Sequence, residues 1–297
     1  MIHVATVHWR DDRWVDVQLA YLERGLDEPY RVYAFLGRMK QDHSDKFFYS
    51  STERLKNHAA KLNLLGDMIG LAADPDDIVL FIDGDAFPVV PLAAPLRAAL
   101  AEHPLVAVRR DENRGARQPH PCFCATTVGF WRQIGGDWHR GSDWKGGSRR
   151  WAKKGGNQAE SDVGYRVLNK LERAAVDWQP LLRSNTTELH PLFYAVYGGL
   201  IYHHGAGFRR GLSGLVLEQH GESELTAKPL ARLLDNLPKS KLTHRLHRRY
   251  HPARRLRRRL VAEQRALSES VFDDLAANPE FYRRFLEPLH LDATAPR

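Results

Sequence analysis

Cysteine is nearly absent: Cys122 and Cys124 are the only two in 297 residues. One residue apart, they are badly placed to bridge each other. No disulfide framework is expected, and a reducing cytoplasm is the simplest compartment. Long apolar runs are missing too, with nothing near the ~18–20 residues that cross a bilayer. Met1–Trp9 has no basic flank ahead of an apolar stretch, so it reads as a strand entering the fold rather than a secretory signal. There is no internal repeat. Acidic residues are scarce in one place only. Between 239 and 265 lie eleven of the 44 Lys/Arg but one of the 36 Asp/Glu, Glu263, leaving 33 against 35 elsewhere. The net charge of +8 is therefore local. A near-neutral body speaks against a nucleic-acid binder, and no nucleic-acid partner is expected.

What is present suits an α/β protein. The 43% hydrophobic content is enough for a sizeable core. Strand-like and helix-like segments alternate from Ile2 to about Gly211. His3–His8 and Arg31–Leu36 read as strands, and Leu55–Leu71 has helical spacing. Ile78–Ile82 is a continuous apolar run, as expected of a strand buried on both faces. Asp162–Arg173 reads as a helix with Ser161 at its N-cap. After Glu222 the chain looks helical, punctuated by prolines. Two domains are expected: a catalytic one over 1–211 and a basic, mostly helical extension over 212–297.

The strongest chemical signal is Ile82-Asp83-Gly84-Asp85-Ala86. Two carboxylates flank a glycine just where an apolar strand ends, and open α/β sheets bind ligands beyond the carboxyl ends of their strands. Aspartates are hard oxygen ligands for Mg²⁺ or Mn²⁺, and such a cation neutralises phosphate oxygens. The plain alternative is a surface turn after a buried strand.

Asp83-Gly84-Asp85, preceded by Val79–Ile82 and by a helix holding Lys61 and Asn63, resembles the Asp-x-Asp element of GT-A nucleotide-diphospho-sugar glycosyltransferases. The resemblance spans roughly residues 2–210. It implies a GT-A-like, Rossmann-like mixed sheet flanked by helices, Mn²⁺ or Mg²⁺ on Asp83 and Asp85, a nucleoside-diphosphate sugar donor and an acceptor hydroxyl. It also implies a base and ribose pocket at Thr6, Val7, His8 and Trp9, with Lys61, Asn63 and Gly84 in the nucleotide-sugar site. A second acidic motif, Glu160-Ser161-Asp162, makes Asp162 the candidate general base, against plain helix capping. A late histidine is implied as a further metal ligand. His203 and His204 both stand in that region, and alternation along a strand lets only one of them face the metal.

Gly135–Gly156, rich in Gly, Trp, Lys and Arg, reads as a long loop. Trp138, Trp144 and Trp151 there could platform a sugar in a lid, or anchor the loop to the core. In His120-Pro121-Cys122-Phe123-Cys124, alternation puts Cys122 and Cys124 on one strand face as small core residues. The basic run from His247 to Val261 suits an anionic membrane surface, giving peripheral contact with the inner face, and suits nucleic acid or a solvated face equally. Two other functions use the same residues: a phosphatase of the haloacid-dehalogenase type with Asp83 as nucleophile, and a non-catalytic nucleotide- or sugar-binding protein.

Overall fold

The computed structural model describes residues 1–113, 115–141, 163–190, 193–205, 220–238 and 240–286. The chain divides into two compact units. One comprises Met1–Gly205 with Pro279–Arg297, the other Ala206–Asn278.

The first unit is built on a seven-stranded sheet. Its strands are β1 (Ile2–Trp9), β2 (Tyr30–Gly37), β3 (Tyr49–Ser51), β4 (Ile78–Asp83), β6 (Leu105–Arg109), β7 (Pro119–Thr127) and β8 (Gln179–Leu181), in the order β3-β2-β1-β4-β7-β6-β8. Only β7 runs against its neighbours. This is the mixed, helix-flanked α/β sheet that the resemblance implies.

The period-2 alternation of a strand sorts the apolar residues of each central strand into two cores. Ile2, Val4, Ile78, Leu80 and Ile82 pack on one face with Val15 and Leu22 of α1 (Arg13–Gly25) and Leu96 of α3 (Ala93–Glu102). Ala5, Val7, Val79 and Phe81 pack on the other with Leu62, Leu65 and Ile69 of α2 (His58–Ala72), Trp131 of α4 (Val128–Gln133) and Leu171 of α5 (Tyr165–Arg173). Both faces are dry, which is why Ile78–Ile82 of β4 reads as an unbroken apolar run.

Three departures from the sequence reading have local causes. Helix α2 starts at His58, capped by Asn57, whose side chain accepts from the Ala59 amide at 3.0 Å. Helix α5 begins at Tyr165, after Gly164 in a left-handed conformation (φ 94°), so it starts three residues later than Asp162. Along β7 the pairing jumps from Ala107↔Cys124 to Val108↔His120. This bulge breaks alternation, so Cys122 packs in the first core and Cys124 in the second rather than sharing a face.

A second sheet is small, in the order β5-β10-β9, from β5 (Ala86–Pro88), β9 (Phe193–Tyr197) and β10 (Ile201–Gly205). β9 and β10 form a hairpin through Gly198 and Gly199, both at positive φ, as a tight primed turn requires. β10 lies antiparallel to β5 with His203 opposite Ala86. A short segment, Phe281–Phe285, returns to this sheet: Phe281 and Phe285 pack on Tyr202, and Phe285 also on Tyr194.

The second unit is helical over its described residues: α6 (Glu222–Ala227), α7 (Pro229–Asp235), α8 (Lys241–Tyr250) and α9 (Pro252–Ala277). None of the described helices is long and apolar enough to cross a membrane.

Candidate metal centre

Strand order reverses between β1 and β4. β1 is followed by β2 on one side, while β4 joins on the other. The crevice beyond the carboxyl ends of two such strands is where open α/β sheets bind ligands. Asp83 ends β4, in register with Val7 of β1. Two residues on, Asp85 stands at the entry to β5, whose partner β10 carries His203. The His204 amide donates to the Asp85 carbonyl at 3.0 Å, tying the two segments together.

The three side chains converge. His203 Nε2 lies 3.5 Å from Asp85 Oδ1 and 3.7 Å from Asp83 Oδ2. His58, the first residue of α2, approaches the other oxygen, with Nε2 3.1 Å from Asp83 Oδ1. Burial alone would raise the Asp83 carboxyl. Contact with His58 and the nearby His203 and His120 rings outweigh it and hold the group well below the usual carboxylate range. Burial alone would lower His203. The Cys122 sulfur and the Asp85 carboxylate beside it raise it to about 10. The bulge in β7 thus brings Cys122 to the site.

His203 resolves the pair of neighbours that the sequence leaves open. His204, expected as an alternative ligand, faces the other way. Its ring lies 4.7 Å from Trp14 and 5.2 Å from Tyr194, and its Nδ1 is 3.0 Å from the Tyr202 hydroxyl. Burial lowers it to about 4, so it is neutral.

The turn between the aspartates is clamped from beneath. Gln18 of α1 is fully buried and satisfied on both ends of its amide. Its Nε2 donates to the Asp83 and Ala86 carbonyls, each at 2.7 Å, and its Oε1 accepts from the Thr6 hydroxyl at 2.9 Å. At Gly84 an added Cβ would meet His8 Nδ1 at 2.7 Å and the Val7 carbonyl at 2.8 Å. Thr6, Val7 and His8, expected in a base and ribose pocket, are therefore the buried wall under the turn. Burial lowers His8 to about 4.

Trp9 does face outward, at 43% exposure. Three cations surround its ring: Arg10 and Arg38 at 5.2 Å and Lys61 at 4.7 Å. Arg10 and Arg38, just past β1 and β2, both sit at positive φ (66° and 57°). Non-glycine residues adopt this conformation at a cost of ~1–3 kcal/mol each, and such strain clusters at functional sites. Lys61 is buried, which lowers its amine.

Asn63, expected with Lys61, is engaged elsewhere. It donates to Asp137 Oδ1 and accepts from the Trp138 amide, both at 2.8 Å, pinning the start of the following loop. Trp138, expected in a lid, is instead core. It is fully buried, 5.3 Å from Trp131 and 5.2 Å from Phe81 between ring centres. Burying a side chain of this size contributes ~2–3 kcal/mol, and that outweighs any use as a mobile platform. Asp162, Trp144 and Trp151 lie outside the described residues.

Sequence reading missed Gln18, His58, Arg10 and Arg38. The two arginines had a usable signal, each directly following the end of a parallel strand. Gln18 and His58 had none, since their partners lie 65 and 25 positions away.

The donor set fits a divalent cation. For metal–ligand bonds of about 2.0–2.2 Å, neighbouring ligands stand ~3.0–3.5 Å apart, and the observed separations of 3.5 and 3.7 Å need little closure. Asp83 Oδ1 is buried without a well-formed hydrogen bond.

No family model matches the chain, and no curated protein matches it. Among solved structures it is similar to TarS of S. aureus, with 11% identity and a TM-score of 0.35 over 45% of this chain and 29% of that one. It is also similar to the glycosyltransferase GlyE of Streptococcus pneumoniae, with 12% identity and a TM-score of 0.37 over 60% and 44%. A third likeness is to the galactosyltransferase LgtC in complex with donor and acceptor sugar analogues, with 12% identity and a TM-score of 0.33 over 57% and 70%. The chain spans under half the length of TarS and GlyE, and each overlap is partial.

Proposed function

We propose that the protein is a glycosyltransferase that moves a sugar from a nucleoside-diphosphate donor to an acceptor hydroxyl, with Asp83, Asp85 and His203 holding Mn²⁺ or Mg²⁺. The observation that carries this is the convergence of those three side chains at the β1/β4 switch point, beside an outward-facing tryptophan ringed by cations.

A cation held by Asp83, Asp85 and His203 would supply positive charge to offset that of a departing diphosphate. The chain's own residues do the rest. Gln18 fixes the backbone of the turn that carries Asp83 and Asp85. His203 would offer Nε2 as the third ligand, in its neutral form. Trp9 offers an aromatic face to the base, and Arg10, Arg38 and Lys61 complement phosphate charge. Asp162 is assigned as the base that takes the acceptor proton if the reaction inverts the anomeric centre. Buried free thiols at Cys122 and Cys124 suit a reducing, cytoplasmic setting.

A thermal-shift panel of UDP, GDP, CDP and dTDP, with and without Mn²⁺, tests this. A ligand that binds the native state alone raises the melting midpoint. One nucleotide is expected to do so far more strongly with Mn²⁺, and its sugar conjugate is expected to turn over. A metal-dependent shift without turnover on any acceptor would make the protein a binding module. Hydrolysis of a phosphomonoester with no nucleotide shift would overturn the proposal in favour of Asp83 as a nucleophile.

A further inference from the structure

The helical unit carries a second cluster of metal-ligating side chains. Asp235 is the last residue of α7. His247 lies on α8, and His251 follows at the junction where Pro252 opens α9. Four residues apart, with the His251 amide bonded to the His247 carbonyl, the two histidines share one helix face. Their rings are nearly parallel, 5.5 Å apart with planes 11° from each other. Both are aimed at the same carboxylate oxygen: His247 Nδ1 is 3.7 Å and His251 Nε2 3.5 Å from Asp235 Oδ1.

Hydrogen bonding orients the His247 ring. Its Nε2 contacts the Leu234 carbonyl. A carbonyl only accepts, so Nε2 carries a proton, and Nδ1 is the ring nitrogen turned toward Asp235. Metal-ligating histidines are commonly oriented in this way, with one ring nitrogen bonded to a backbone carbonyl and the other free to ligate. His247 Nδ1, the nitrogen facing Asp235, is buried without a hydrogen-bond partner.

We infer that Asp235, His247 and His251 form a site for a borderline divalent transition ion of the zinc class, which ties the end of α7 to the α8–α9 junction. Two imidazoles and one carboxylate suit Zn²⁺ better than Mg²⁺ or Mn²⁺, which prefer oxygen. With bonds of about 2.0–2.2 Å a tetrahedral edge is ~3.4 Å, close to the two separations to Asp235. The Asp235 side chain is 57% exposed, which leaves the fourth position to water.

The test is zinc calorimetry on the full chain carrying Asp85→Asn, which disables the first cluster. About one equivalent of Zn²⁺ is expected to bind and to raise the melting midpoint. Adding Asp235→Asn, an exposed and nearly isosteric change, or separately His247→Ala, is expected to weaken zinc at least ~10-fold. Far-ultraviolet circular dichroism checks that the helices persist in each variant. Absence of zinc uptake, or uptake unchanged by both substitutions, overturns the inference.

Discussion

Asp85→Asn is expected to lower the transfer rate by about 10²–10³-fold, the range seen when one electrostatic stabiliser of a developing charge is removed. It is also expected to abolish the Mn²⁺-dependent part of nucleotide binding. Asparagine keeps the side chain's shape while removing the charge that faces His203 Nε2 at 3.5 Å. The fold is expected to tolerate it, because the Asp85 backbone makes the tie to β10 through the His204 amide, and asparagine leaves that bond in place. Initial rates with the nucleotide sugar identified by the panel, measured beside melting curves with and without Mn²⁺, check both halves. A variant that melts like its parent and still shows the full metal-dependent shift would remove Asp85 from the site.

Gly84→Ala is expected to be the most damaging change of a single methyl group in the turn. Its Cβ would stand 2.7 Å from His8 Nδ1 and 2.8 Å from the Val7 carbonyl. The carbonyl belongs to the central strand of the sheet and cannot swing aside as a surface side chain would. Relief must come from moving the Asp83–Asp85 turn outward, off the Gln18 clamp. Overpacking of this kind costs ~1–3 kcal/mol, or ~2–12 °C in melting temperature for a domain of this size. Metal affinity is expected to fall with it, because both carboxylates ride on the turn. Gly70→Ala is the control. In α2, its Cβ would meet nothing nearer than the Arg132 side chain at 3.5 Å. Alanine is favoured over glycine in a helix by ~0.5–1 kcal/mol, so the same methyl is expected to stabilise there. Differential scanning calorimetry on the two variants reads the opposite signs directly.

The parts legible from sequence were those that local periodicity encodes. An unbroken apolar run marked β4 as a doubly buried strand, and its last residue located Asp83 at the sheet's carboxyl edge. Alternation allowed only one of His203 and His204 to face the metal, but the choice needed the register of β10 on β5. Other features depend on contacts between distant residues. Gln18 lies in the middle of an amphipathic helix, where nothing local marks it as the clamp for a turn 65 positions away. Trp138 sits in a segment of loop-like composition, yet its indole fills the space between Trp131 and Phe81. The bulge in β7 is invisible in a stretch that alternates acceptably on paper. Phe281–Phe285 offered no sign that it packs on the β9–β10 hairpin, since a short aromatic stretch between prolines suits many surroundings.

Anomalous diffraction from crystals grown with Mn²⁺ and the nucleoside diphosphate that gives the largest thermal shift is the most direct measurement. A Mn²⁺ peak about 2.0–2.2 Å from Asp85 Oδ1 and His203 Nε2, shared with Asp83 and touching the diphosphate, is the outcome expected here. Well-ordered nucleotide lying elsewhere, or bound at the β1/β4 crevice with Asp83, Asp85 and His203 ligating nothing, would contradict the account.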